Sequence, residues 1–346
     1  MFQSYFQSQY QVKYIYAVSV PGACLFLLLA VLCVRWSLPV HAVFYAALLN
    51  GALTLALLMA IALPRIRLSL RPDRVLMLML LRDAGEVGLF VLLFMVAMRI
   101  DQILLFHLRG AEEVGRYAVA VRVTEALSVL PEALMLTVFP ILAATQQSAP
   151  ARFRVTYRLS FKYLSAVILP VALLLTLLRH EFVRLVFGAQ YAASAAPLAI
   201  LGWGMFFSYT GAVFLNLFIV QRLQRLMLLV SVITVAANVG LNLWLIPPYG
   251  ASGAAWATVA ANLIGFAVWS VHPETAAFMA ACLAAALRPL VGVGLAWLAV
   301  AGLGLAGGVS AVTALAFYAA AMVLLGGVDR SDVARFRRLF AAERAS

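Results

Sequence analysis

The chain has 346 residues, 65% of them hydrophobic and 11% charged, with a mean hydropathy of +1.02. A soluble domain carries roughly 25% charged residues, so a water-soluble fold is excluded and a polytopic membrane protein is indicated. The formal charge of +12 does not signal nucleic-acid binding. The basic residues are scattered between apolar spans and form no dense basic face, whereas basic cytoplasmic loops produce the same net charge for a simpler reason.

The opening stretch MFQSYFQSQYQVKY lacks the charged start, early apolar core and cleavage site of a signal peptide. A helix needs about 20 mainly apolar residues to cross the hydrocarbon. Ten segments qualify: 14–34, 41–63, 76–106, 114–143, 159–179, 195–219, 226–246, 252–271, 287–306 and 309–326. The expected fold is therefore an all-α polytopic membrane protein of about ten transmembrane helices. Cys24, Cys33 and Cys282 lie inside apolar segments without a CxxC pattern, which makes them packing residues.

The basic residues set the orientation. With the N-terminus in the cytoplasm, seventeen face inside: Lys13; Arg65, Arg67, Arg71 and Arg74; Arg152, Arg154, Arg158 and Lys162; Arg222 and Arg225; Arg288; and Arg330, Arg335, Arg337, Arg338 and Arg344. Five (Arg35, Arg109, Arg116, Arg179 and Arg184) face outside, and Arg82, Arg99 and Arg122 fall within spans. The asymmetry predicts N-in and C-in. The basic, proline-bracketed loop 64–74 is the strongest internal boundary. Residues 180–197 read as a short helix on the outer interface, and the basic tail as an amphipathic helix at the headgroups or a solvated segment.

Inward of Arg116 at the outer end, the third and fourth spans hold eight ionisable residues: Arg82, Asp83, Glu86, Arg99, Asp101, Arg122, Glu125 and Glu132. Each costs at least ~2.5–3.5 kcal/mol at the bilayer centre, so they must face protein or water. Residues equidistant from the turn near Gly110 lie at similar depth. This predicts two pairs, Asp101 with Arg122 and Arg99 with Glu125; Glu132 continues the Arg122–Glu125 stripe. Two readings stand: a buried network that fixes helix register, or a hydrated path that meets an anionic substrate or a coupling ion. Arg82, Asp83 and Glu86 lie near the cytoplasmic end, where they read as an entry ramp or as secondary site residues. Pro131 and Pro140 free backbone carbonyls in the fourth span. Asn50, Asn216, Asn238, Asn242 and Asn262 read as interhelical hydrogen bonds. No GxGxxG after a strand, P-loop, HExxH or GxSxG occurs, and the four histidines are too dispersed for a metal site. Nothing points to an enzyme.

The run RIDQILLFHLRGAEEVGRYAVAVRVTEALSVLPEALMLTVFPILA (99–143), with FGAQYAASAAPLAILGW (187–203) and NVGLNLWLIPPYGASGAAWATVAANLIG (238–265), resembles the second lobe of oligosaccharide flippases of the MOP (multidrug/oligosaccharidyl-lipid/polysaccharide) superfamily. The RID-Q element, the VG-x-Y-x-x-A step, the R-x-x-E pair and the LP…FP spacing carry the resemblance. It implies a partial transporter fold with an intact second lobe. Residues 1–63 would be two helices of the first lobe, 64–74 the cytoplasmic inter-lobe linker, 75–271 the six-helix second lobe, 272–326 two additional helices, and 327–346 a basic cytoplasmic tail. About four helices of the first lobe have no counterpart before Met1.

The resemblance further implies flipping of polyprenyl-diphosphate-linked oligosaccharide across the bacterial cytoplasmic (inner) membrane, by alternating access, for cell-surface polysaccharide synthesis. Arg99 and Arg122 are the candidates for the diphosphate. Asp101, Glu125 and Glu132 would hold them or carry H⁺ or Na⁺, with no other cofactor. The implied partners are the lipid-linked oligosaccharide, membrane lipids, and polysaccharide polymerase machinery or a chain supplying the missing helices. Alternatives are a lipid II or multidrug transporter of the same superfamily, a truncated non-transporting remnant, and an integral membrane polymerase or glycosyltransferase. The last would need a larger outside loop than about 180–194.

Overall fold

A computed structural model describes residues 12–39, 41–65, 74–273 and 275–327. Among them the chain is helical throughout: α1 (Val12–Arg35), α2 (His41–Ala62), α3 (Arg74–Arg109), α4 (Ala111–Leu127), α5 (Val129–Ser148), α6 (Pro150–Leu177), α7 (Arg179–Phe187), α8 (Ala195–Val220), α9 (Gln224–Val271), α10 (Ala276–Leu303) and α11 (Gly307–Leu324), with 3₁₀ turns at Leu63–Arg65 and Ala189–Ser194. In hydrocarbon, where no water satisfies a backbone amide, helices are one of only two ways to span.

Among the described residues, eight helical stretches are long and apolar enough to cross a membrane. Two of the expected spans lie together in α9, which is hinged at Gly250. The charged α3, 36 residues long, brings the total to the expected ten. The spans also differ from expectation in their limits. The fourth is two helices, α4 and α5, meeting at Ser128; Pro131 has no N–H to bond the Leu127 carbonyl one turn back. Helix α6 starts at Pro150, nine residues before its expected limit, so Lys162 lies buried within it rather than in a loop. Proline is favoured at that first position because the missing N–H has no helical acceptor anyway. Helix α10 starts at Ala276 and runs through Pro289. Arg288, read as a loop residue, sits inside it and donates to the Gly326 carbonyl at 2.6 Å.

The chain divides into two compact units, residues 1–79 and 80–346. In the first, Val18 of α1 packs with Leu58 and Ala62 of α2. Gly22 permits this approach, since a Cβ there would lie 2.9 Å from Asn50 Oδ1. In the second, α8 is central and packs on α4, α5, α6 and α9. Its core is aromatic: Phe161 of α6, Phe206, Phe214 and Phe218 of α8, and Phe266 and Trp269 of α9 stack edge-on or tilted at 5.5–6.4 Å between centroids. Without a hydrophobic effect between helices in lipid, such close packing is what holds them together. Helices α10 and α11 form a hairpin against α6, fastened where the Tyr318 hydroxyl donates to the Ala166 carbonyl at 2.8 Å.

The short α7 and the 3₁₀ turn after it occupy the segment expected as an interfacial helix. Val183 is buried, while Leu185 and Val186 are exposed. Most of the loop 64–74 and the tail 328–346, expected to be amphipathic, lie outside the described residues.

Candidate functional site

Successive residues of a helix are separated by about 100°, so Arg99 and Asp101 point to nearly opposite sides of α3. Arg99 is exposed. Its Nη1 lies 3.6 Å from Glu125 Oε1 on α4, and Arg122 Nη1 lies 3.1 Å from Glu125 Oε2. The side chains of Arg99, Arg122 and Glu125 are 54%, 70% and 34% exposed. The expected Arg99–Glu125 pair is present. Arg99 is ten residues from the end of α3 and Arg122 eleven from the start of α4, roughly 15 Å of helix each. A ~30 Å hydrocarbon layer with its outer face at the α3–α4 turn would have its middle at this distance.

The expected Asp101–Arg122 pair is absent. Asp101 is 6% exposed, and the 200° that separates it from Arg99 turns it away from the arginines. Tyr117 Oη of α4 donates to Oδ2 at 2.8 Å, Thr258 Oγ1 of α9 donates to the same oxygen at 2.6 Å, and Asn242 Nδ2 of α9 donates to Oδ1 at 2.7 Å. Asn242 Nδ2 also lies 3.1 Å from Asn238 Oδ1. Among the described residues no Arg or Lys pairs with Asp101. A buried carboxylate ringed by neutral groups keeps its hydrogen bonds but lacks a counter-charge.

The donor set suits a hard cation. Asp101, Asn238, Asn242 and Thr258 offer carboxylate, amide and hydroxyl oxygens, the ligand types such ions take. Asn242 Oδ1 is buried and has no hydrogen-bond partner, which is unusual for a buried amide. A cation reached by the Asn242 amide oxygen would give it the partner it lacks.

The remaining candidates divide. Glu132 is exposed on α5 and accepts from Ser128 Oγ at 2.9 Å. It lies on the inward continuation of the Arg122–Glu125 stripe but belongs to no ion pair among the described residues. The side chains of Arg82, Asp83 and Glu86 lie outside the described residues. Of the asparagines, Asn242 and Asn262 bond between helices as expected, Asn262 to Ser208 Oγ at 2.9 Å. Asn216 instead bonds the Ala212 carbonyl of its own helix, and Asn50 Oδ1 has no partner. The polar face near the ion trio also includes the Tyr209 hydroxyl, which donates to the Thr124 carbonyl.

Sequence reasoning missed Tyr117 and Thr258. Tyr117 carried a readable signal, a phenol near the depth of Asp101 across the hairpin turn. Thr258 did not, because its partner is 157 residues away.

Comparison with known proteins agrees with this architecture. The family described as "Polysaccharide biosynthesis protein" matches residues 1–196. No curated protein matches the chain. Among solved structures, the lipid II flippase MurJ in its inward closed conformation is similar, with a TM-score of 0.65 at 13% identity. The likeness covers 88% of this chain and 65% of that one, so the chain spans about two thirds of MurJ's length. At that identity the likeness is one of fold. The chain belongs to the polysaccharide biosynthesis protein family and is a multi-pass membrane protein with a MurJ-like fold.

Proposed function

We propose that this protein flips polyprenyl-diphosphate-linked oligosaccharide across the bacterial cytoplasmic membrane for cell-surface polysaccharide synthesis, by alternating access. A diphosphate and its sugars cannot cross hydrocarbon unaided, whereas the polyprenyl tail can stay in lipid. The reading is carried by one observation. Arg99, Arg122 and Glu125 form an exposed charged face roughly 15 Å along the α3–α4 hairpin from its turn. Charged groups there are expensive against lipid and favourable only beside water or a charged ligand.

In this reading Arg99 and Arg122 meet the diphosphate, Glu125 holds the two guanidinium groups apart from the cargo until it arrives, and Glu132 extends the path toward the cytoplasm. Two arginines suit the task because the guanidinium fork matches phosphate oxygens in pairs. Asp101, with Asn238, Asn242, Thr258 and Tyr117, carries the coupling ion, Na⁺ or H⁺. Arg82, Asp83 and Glu86 form the cytoplasmic entry. Residues 1–63 contribute to the first lobe, 64–74 link it to the second lobe at 75–271, 272–326 add two helices, and 327–346 lie as a basic tail at the cytoplasmic surface. Polysaccharide polymerase machinery receives the flipped product.

Substitution of Arg122→Ala in the producing cell tests the reading. Surface glycan should disappear while the protein persists in the membrane. Surface glycan at the normal level would reduce the trio to a structural role. A second reading, lipid II as cargo, is favoured by the fold likeness to MurJ; it predicts that the same substitution stops peptidoglycan synthesis instead.

A further inference from the structure

Helix α9 is restarted at its hinge. Pro247 and Pro248 have no amide hydrogens, Gly250 adopts φ 54° and ψ −130°, and a second helical limb begins at Ala251. The first N–H groups of such a limb have no helical acceptor of their own. Glu113 of α4, 17% exposed, supplies one: its Oε2 accepts the Ala251 N–H at 2.6 Å. A carboxylate at a helix N-terminus is favoured both by the charge-assisted bond and by the helix dipole. Arg116 pairs with Glu113 and, at 2.6 Å, with Glu112, which holds the carboxylate in place. The carboxylate is also packed on Gly250, where a Cβ would clash with Oε2.

The same three helical elements meet a second time, deeper in the protein. Tyr117 is one turn beyond Glu113 on α4, Asn242 is on the first limb of α9, and Thr258 is on the second. All three donate to Asp101. Thr258 is seven residues beyond Ala251, about 10 Å along the limb. A change in the phase or rise of that limb at the hinge therefore moves Thr258 Oγ1 relative to Tyr117 Oη, although both now reach one carboxylate oxygen.

We propose that Glu113 is a positioning residue for the Asp101 cation site. By capping the second limb of α9 from α4, it fixes where Thr258 stands relative to Asn242 and Tyr117 around Asp101. The inference rests on the reading of Asp101 as the coupling-ion site. Glu113 itself touches no ion; it acts through the restarted helix.

The test uses the purified full-length protein in detergent. Its melting temperature is followed as Na⁺ replaces choline at alkaline pH, and again as protons are added in choline. The wild type should be stabilised by one of these cations, and Asp101→Asn should abolish that response. Glu113→Ala should weaken the apparent cation affinity about 10- to 100-fold, the range seen when an outer-shell support of a metal site is removed. Glu113→Gln keeps an oxygen that can accept the Ala251 N–H and should recover most of the affinity. Glu113→Asp, one methylene shorter, should not.

The outcomes separate the two claims. If the wild type responds to neither cation, or Asp101→Asn still responds, the Asp101 reading fails, and the Glu113 role fails with it. If Asp101→Asn loses the response while Glu113→Ala or Glu113→Asp binds as tightly as wild type, Glu113 does not position the site and the Asp101 reading survives. Should Glu113→Ala not fold, the contrast between Glu113→Gln and Glu113→Asp decides alone: equal affinity overturns the proposal.

Discussion

Asp101 and the Arg99–Glu125–Arg122 trio share one helical hairpin, with Asp101 and Arg99 two residues apart, yet their surroundings are opposite. The trio is exposed and held by opposite charges. Asp101 is buried and held by a phenol, an alcohol and an amide. The exposed groups can meet a large charged cargo, while the buried acid is closed in by its three hydrogen-bond donors. The difference also shows the limit of charge matching. Pairing opposite signs at equal depth is right where water is near and only Coulomb attraction orders the groups. It is wrong where burial demands that every lone pair and donor be met.

Substitutions should separate the two regions, and the largest effect belongs to the buried one. Asp101→Leu strands three donors, from Tyr117, Thr258 and Asn242. At about 1–3 kcal/mol for each buried group left unmet, the melting temperature in detergent should fall sharply, with Asp101→Asn milder. Next comes Gly250→Ala, which forces a side chain into a φ of +54° against Glu113. The strain is about 1–3 kcal/mol and should appear as a lower melting temperature. Tyr117→Phe removes a single donor from Asp101 and should cost about 0.6–1.7 kcal/mol, the scale of a hydrogen bond inside a membrane protein. The smallest change in stability is expected from Glu125→Gln, because solvent-exposed ion pairs contribute about 0–1 kcal/mol. If Glu125→Gln lowers the melting temperature as far as Asp101→Leu does, the distinction between a wet face and a dry site is lost.

Much of the fold was legible in the sequence, since hydropathy alone determines which segments enter lipid. What was misplaced lies at particular prolines and glycines. Pro131 splits the fourth span near Ser128, whereas Pro289 leaves α10 unbroken. A proline forbids one hydrogen bond, but neighbouring helices decide whether the helix stops there. The Arg99–Glu125 pair was legible because both partners lie close to a single turn, so sequence distance predicts depth. The environment of Asp101 was not legible, because Asn242 and Thr258 are 141 and 157 residues away. Only the packing of α9 against the α3–α4 hairpin brings them there.

By itself the sequence determined that the chain is made of about ten apolar helices, with an excess of charge in one hairpin. These follow from transfer free energies, which depend on residue type and order alone. Tertiary structure decided which charges meet solvent and which meet protein. A helix of alternating polar and apolar residues has no preferred neighbour until others pack on it. The choice between Arg122 and Tyr117 as the companion of Asp101 was made by that packing.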